Sequence, residues 1–147
     1  MFAIYSYIAI LGLILGSFYN VVGLRVPNGE SIIKPPSHCP SCQKRLKPLE
    51  LIPVLSYLLQ LGKCKHCGVK ISPIYPLFEA LTAILFVFSF YLIGFSLELV
   101  IAWLFVSLLV IITISDLHYQ IISDRVLLFF AIVIGLLRLW ITLDPWY

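Results

Sequence analysis

The sequence predicts an all-α integral membrane protein with about four transmembrane helices and a cytoplasmic four-cysteine zinc-binding loop between helices 1 and 2. Three observations lead there. The 147 residues are 61% hydrophobic and only 12% charged, where a soluble domain carries about 25% charged residues. The apolar residues gather into long runs rather than short amphipathic periods. Four cysteines sit in the one long polar stretch, between the first two runs.

A hydrocarbon core about 30 Å thick takes roughly 20 helical residues to cross. Residues 3–24, 74–93, 97–115 and 126–143 meet or approach that length. The first run lacks a basic start and a small-residue cleavage site, and it ends in Asn20, Arg25 and Pro27. It therefore reads as a retained helix rather than a secretory signal.

Eight of the ten Lys and Arg residues fall within residues 25–70. The positive-inside rule assigns that segment to the cytoplasm, with the amino terminus outside. The short 93–97 connection is then outside, the 116–125 connection inside and the carboxy terminus outside. The chain divides into helix 1 (1–24), the cytoplasmic segment (25–73) and helices 2 to 4 (74–147).

Cys39 and Cys42 form one C-x-x-C pair, Cys64 and Cys67 another, with 21 residues between them. Two such pairs at this distance suit one tetrahedral zinc ion held by four thiolates. A reducing compartment disfavours disulfides, and so short a loop gains from a metal staple. Four cysteine ligands leave no open position for a catalytic water, so the zinc is expected to be structural. His38 and His66 flank the ligands, either as replacements for a cysteine or as outer partners.

Pro27, Asn28 and Gly29 break the first helix, and Pro35-Pro36 prevents another before the first cysteine pair. Residues 49–62 are apolar, interrupted at Pro53 and too short to span. They are expected along the membrane surface or over the zinc site, with a re-entrant path also open.

Polar residues within spans are functional candidates. Gly16, Ser17 and Asn20 form a small polar face late in helix 1 that suits close helix packing. Glu79 lies about one turn into helix 2, where it contacts a basic partner or the headgroups. Arg138 is expected to reach outward to the interface. Asp116 follows 19 mostly apolar residues, so it should end helix 3 at the cytoplasmic edge. A lowered dielectric there would give the tuning a general acid or base needs, although a plain interfacial carboxylate fits equally. Asp124, eight residues on, suits the cap before helix 4.

The stretches GSFYNVVGLRVP, PSHCPSCQKRL, ELIPVLSYLLQLGKCKHCGVKISPIYPLFEALTA and SDLHYQIISDRV together resemble the prepilin peptidases. These membrane aspartic peptidases process type IV prepilins and pseudopilins, and the short cysteine loop is most similar to competence-type members from Gram-positive bacteria. The resemblance implies that Asp116 is the first catalytic aspartate and that Cys39, Cys42, Cys64 and Cys67 bind the zinc. Asp124 matches the end of the same motif, with Ser123 where the family usually has proline. It further implies cleavage of a basic leader at the cytoplasmic face of the bacterial cell membrane, after a glycine. S-adenosylmethionine-dependent N-methylation of the new end often follows in the family. Glu79, Glu50 and Glu30 are the acids available to such a leader.

The family's second aspartate lies in a Gly-x-Gly-Asp motif that this sequence lacks. Asp144 is placed at the outer end of helix 4, on the wrong side to serve. Two carboxyls sharing a proton are required for this chemistry, so the 147 residues are expected to be an inactive amino-terminal portion. A carboxy-terminal portion carrying the second aspartate is then a partner, alongside prepilin substrates and the lipid bilayer, and no nucleic acid is expected. The alternative class is a non-catalytic, zinc-stabilised membrane adaptor for pilus or competence machinery.

Overall fold

The structure, a computed structural model, describes residues 1–143. Asp144 lies outside the described residues. Five helices form: α1 (Phe2–Arg25), the short α2 (Leu55–Leu59), α3 (Ile74–Ile93), α4 (Leu97–Tyr119) and α5 (Asp124–Leu143). A 3-10 turn, Pro48–Leu51, precedes α2. All except α2 are long and apolar enough to cross a membrane. Among the described residues no strand forms, and two isolated bridges mark the cysteine loop. The all-α class, the four spans and a four-cysteine cluster between the first two spans agree with the sequence reading.

The α1–α3 seam is built on glycine. A Cβ on Gly12 would lie 2.5 Å from the Ala83 Cα, and one on Gly16 would lie 2.8 Å from the Glu79 Cα. Small residues let two backbones approach within a membrane, where dispersion rather than water expulsion drives association. Gly23 does the same for α4, against Ile114. Tyr19, Phe78, Ile111, Ile114 and Phe130 fill the core at this end of the bundle. Ile8, Phe86, Phe90 and Leu99 fill the other.

Several polar groups inside the bundle find partners, which matters where water is absent. Tyr19 and Ser107 hydrogen-bond across α1 and α4. The indole N–H of Trp103 donates to the Phe86 carbonyl at 3.2 Å, and the two rings stack 5.0 Å apart. Arg138 of α5 pairs with Glu98 of α4 on the exposed rim rather than reaching outward alone. Outward faces carry Phe88, Phe105, Phe129 and Leu136, all exposed. Such a surface suits hydrocarbon.

Two helix boundaries differ from the sequence reading. Helix α4 runs four residues past position 115, so Asp116 sits within its last turn instead of ending it. The extension holds because the Tyr119 hydroxyl donates to the Leu24 carbonyl at 3.1 Å and itself accepts from Asn28 at 2.9 Å. Gln120 then stops the helix with a left-handed φ of 53°. At α5, Ser123 stands before the helix and its carbonyl accepts the Val126 and Leu127 N–H groups. Asp124 is already in the first turn rather than capping it.

Candidate functional site

Residues 38–45 and 63–70 fold as the same small knuckle. In the first, His38 bridges Arg45, the Cys39 N–H donates to the Lys44 carbonyl at 3.0 Å, and the Cys39 carbonyl accepts the Gln43 N–H at 2.9 Å. In the second, Lys63 bridges Lys70, Cys64 N–H donates to Val69 at 2.8 Å, and Cys64 accepts from Gly68 at 2.9 Å. Gln43 and Gly68 take the same left-handed turn position, with φ of 58° and 71°. Only the cysteines are shared in kind, so the repeat is one of backbone shape.

The two knuckles bring all four sulfurs within 4.8 Å of one another. Cys39 and Cys67 are 3.7 Å apart, Cys42 and Cys64 4.0 Å. Zn–S bonds of about 2.3 Å in a tetrahedron place sulfurs about 3.8 Å apart. The donor set therefore fits zinc in both chemistry and spacing. Backbone N–H groups of Cys42 and Ser41 hold the Cys39 thiol down, to about 6, while the Cys42 thiol beside it is pushed up to about 11.

Neither histidine joins the cluster. His38 Nδ1 is 3.0 Å from the Pro36 carbonyl. His66 Nε2 lies 3.6 Å from Glu50 Oε1, while Glu50 Oε2 accepts the Lys47 N–H at 2.7 Å. Glu50 thus ties the second knuckle to the 3-10 turn and is not free for a basic leader. Glu30 is exposed.

Segment 49–62 covers the lobe and also lies outward. Leu55, Leu58, Leu59 and Leu61 are exposed, which suits a membrane surface, while Tyr57 and Gln60 turn toward a cavity of about 510 Å³. The cavity lies where α1, α3 and the cysteine lobe meet. Asn20, Arg25, Tyr57, Lys70, Tyr75 and Glu79 are among its walls. Val54, at φ 60° after Pro53, turns its N–H to Glu79 Oε2 at 2.7 Å. Glu79 is buried. Asn20 donates from Nδ2 to the Tyr75 carbonyl at 3.1 Å, and its buried Oδ1 has no partner. Glu79 and the Gly16, Ser17 and Asn20 face were each legible in the sequence, but their meeting at one cavity was not.

Asp116 is exposed and is not part of the cavity wall. It does share the lobe's end of the bundle: His118, two residues on, stacks on Tyr75 at 6.3 Å. Asp124 is exposed as well.

Residues 10–93 match the Bacterial Peptidase A24 N-terminal domain. The prepilin leader peptidase/N-methyltransferase of Bacillus subtilis (strain 168) is 49% identical over 97% of this chain and 57% of its own length. Its counterpart in Myxococcus xanthus (strain DK1622) is 45% identical over 83% of the chain and 36% of its own length. The Klebsiella pneumoniae counterpart is 36% identical over 81% and 55%. The chain thus spans 36% to 57% of the length of these three relatives. No solved structure matches it.

Proposed function

The chain belongs to the bacterial A24 peptidases, the prepilin leader peptidase/N-methyltransferase family, and on that premise we propose that it is a membrane aspartic endopeptidase. Its substrates in this reading are type IV prepilins or pseudopilins, cut between leader and mature chain at the cytoplasmic face. The observation that carries the reading is the position of Asp116: exposed, in the last turn of a spanning helix, at the end that bears the cysteine lobe. The charge of residues 25–70 favours the cytoplasm for that end.

Aspartic peptidases divide the work between two carboxyl groups sharing a proton, one activating water while the other polarises the scissile carbonyl. Asp116 supplies one group. The other comes from chain beyond the described residues or from a second polypeptide. Asp124, in the first turn of α5, keeps the ordinary role of an acid at a helix amino terminus. Zinc held by Cys39, Cys42, Cys64 and Cys67 staples the lobe and takes no chemical part, because four thiolates close its coordination.

Methylation of the new amino terminus is proposed from the relatives' names alone. When bound, S-adenosylmethionine supplies the methyl group. Paired variants test the peptidase reading. Asp116→Asn should lower prepilin cleavage by at least 10³-fold, in the range lost with other catalytic groups. Asp124→Asn should cost less than tenfold. Full cleavage by Asp116→Asn would overturn the role given to Asp116, and no cleavage by the unaltered protein would leave the adaptor reading in its place.

A further inference from the structure

We infer that Tyr119 is a positioning residue: by tying the last turn of α4 to the end of α1, it fixes where the Asp116 carboxylate stands. Asp116 is exposed, and the two ion pairs among the described residues do not include it. Its place is therefore set by the backbone that carries it. That backbone is the end of a helix, where the last carbonyls lack intrahelical partners and the turn frays readily. The closing bond runs from the Gln120 N–H to the Asp116 carbonyl itself, at 2.8 Å, with Gln120 at a φ of 53°. Glycine takes that left-handed conformation freely and glutamine does not. Something outside the turn must hold it.

The Tyr119 hydroxyl does so. It donates to the Leu24 carbonyl at 3.1 Å and accepts from Asn28 Nδ2 at 2.9 Å, and the same Nδ2 lies 3.3 Å from that carbonyl. Leu24 is the penultimate residue of α1, so its carbonyl is one of those a helix leaves unsatisfied. The three groups close a ring that joins the two helix ends. Gly23 lets the helices come that close, since a Cβ there would lie 2.7 Å from the Ile114 side chain. Other polar bonds of this turn stay local: the Ser115 hydroxyl donates to the Ile121 carbonyl, and His118 Nδ1 lies 2.9 Å from the Ile114 carbonyl. Among the described residues, Tyr119 alone hydrogen-bonds the turn to another helix. Asp116 and Tyr119 are three residues apart, hence neighbours on the surface of α4.

This role rests on the catalytic part proposed for Asp116. Two carboxyls can share a proton only while their spacing holds, and a misplacement of about 1 Å caused from outside the reacting groups can cost about 10²-fold in rate. Tyr119→Phe removes one oxygen and keeps the ring, so it loosens the turn and takes nothing from the reacting groups.

The test uses the full-length protein, expressed from its own gene, with a prepilin as substrate. Tyr119→Phe should lower kcat at least tenfold, with KM within about twofold of the unaltered protein. The acid limb of its kcat profile against pH should move by about half a unit or more, because the shared proton depends on the spacing of the two carboxyls. A variant that had only lost folded protein would keep that limb in place. Hydrogen exchange gives a reading without catalysis: amides of residues 116–120 should exchange at least tenfold faster in Tyr119→Phe, while those of residues 100–110 stay protected. Asn28→Ala, which reaches the same hydroxyl from the end of α1, should reproduce these effects if Tyr119→Phe accumulates poorly. An unchanged kcat in a folded Tyr119→Phe overturns the inference whatever the exchange shows, as does a lower kcat with the acid limb unmoved. If Asp116→Asn cuts prepilin at the full rate, or the unaltered protein does not cut it, the proposed function fails and this inference with it. If Asp116→Asn is inactive while Tyr119→Phe is fully active, only this inference fails.

Discussion

At the scale of single residues, glycine and one carboxylate set the terms. Gly12 and Gly16 stand where a Cβ would press on the backbone of α3. Gly12→Val should therefore destabilise the bundle by about 1–3 kcal/mol through overpacking, measurable as a lower thermal midpoint in detergent. An unchanged midpoint would mean that α1 and α3 do not meet as described. Legibility in the sequence follows locality here. The small face of Gly16, Ser17 and Asn20 was readable because the residues lie close together in one helix. The destination of Glu79 was not, because its partner is the backbone N–H of Val54, 25 residues away and turned inward by a left-handed φ.

At the scale of elements, the cysteine lobe is a metal-shaped unit. It should hold one zinc per chain, and Cys64→Ser should drop the measured content well below one. Its zinc affinity should depend on pH with a definite sign. The thiolate is the ligating form, so acidification protonates the cysteines and weakens binding. A zinc titration at pH 8 and pH 5.5 checks this, and tighter binding at pH 5.5 would contradict it. The four-cysteine cluster was legible from two C-x-x-C pairs. The matching knuckles at 38–45 and 63–70 were not, because backbone hydrogen bonds repeat where side chains do not. The last turn of α4 was likewise hidden, since Tyr119 is held by Leu24 and Asn28, 95 and 91 residues away in sequence.

At the scale of the whole molecule, four apolar helices place the lobe, the cavity and Asp116 at one end of a bundle. The spans were legible because apolar length alone defines them. The shared end followed from connectivity, as short links between antiparallel helices leave no other arrangement. Residues 25–70 should be protected from protease added outside intact cells and cut in inverted vesicles; the opposite pattern would reverse the proposed orientation. The central claim is that Asp116 performs proteolysis while the zinc lobe only supports it. Its most direct test is Asp116→Asn in the protein as expressed from its own gene, incubated with a prepilin and read by mass spectrometry of the substrate's amino terminus. The account predicts uncut prepilin with one zinc still bound per chain. Prepilin cut at the native position by that variant would contradict it.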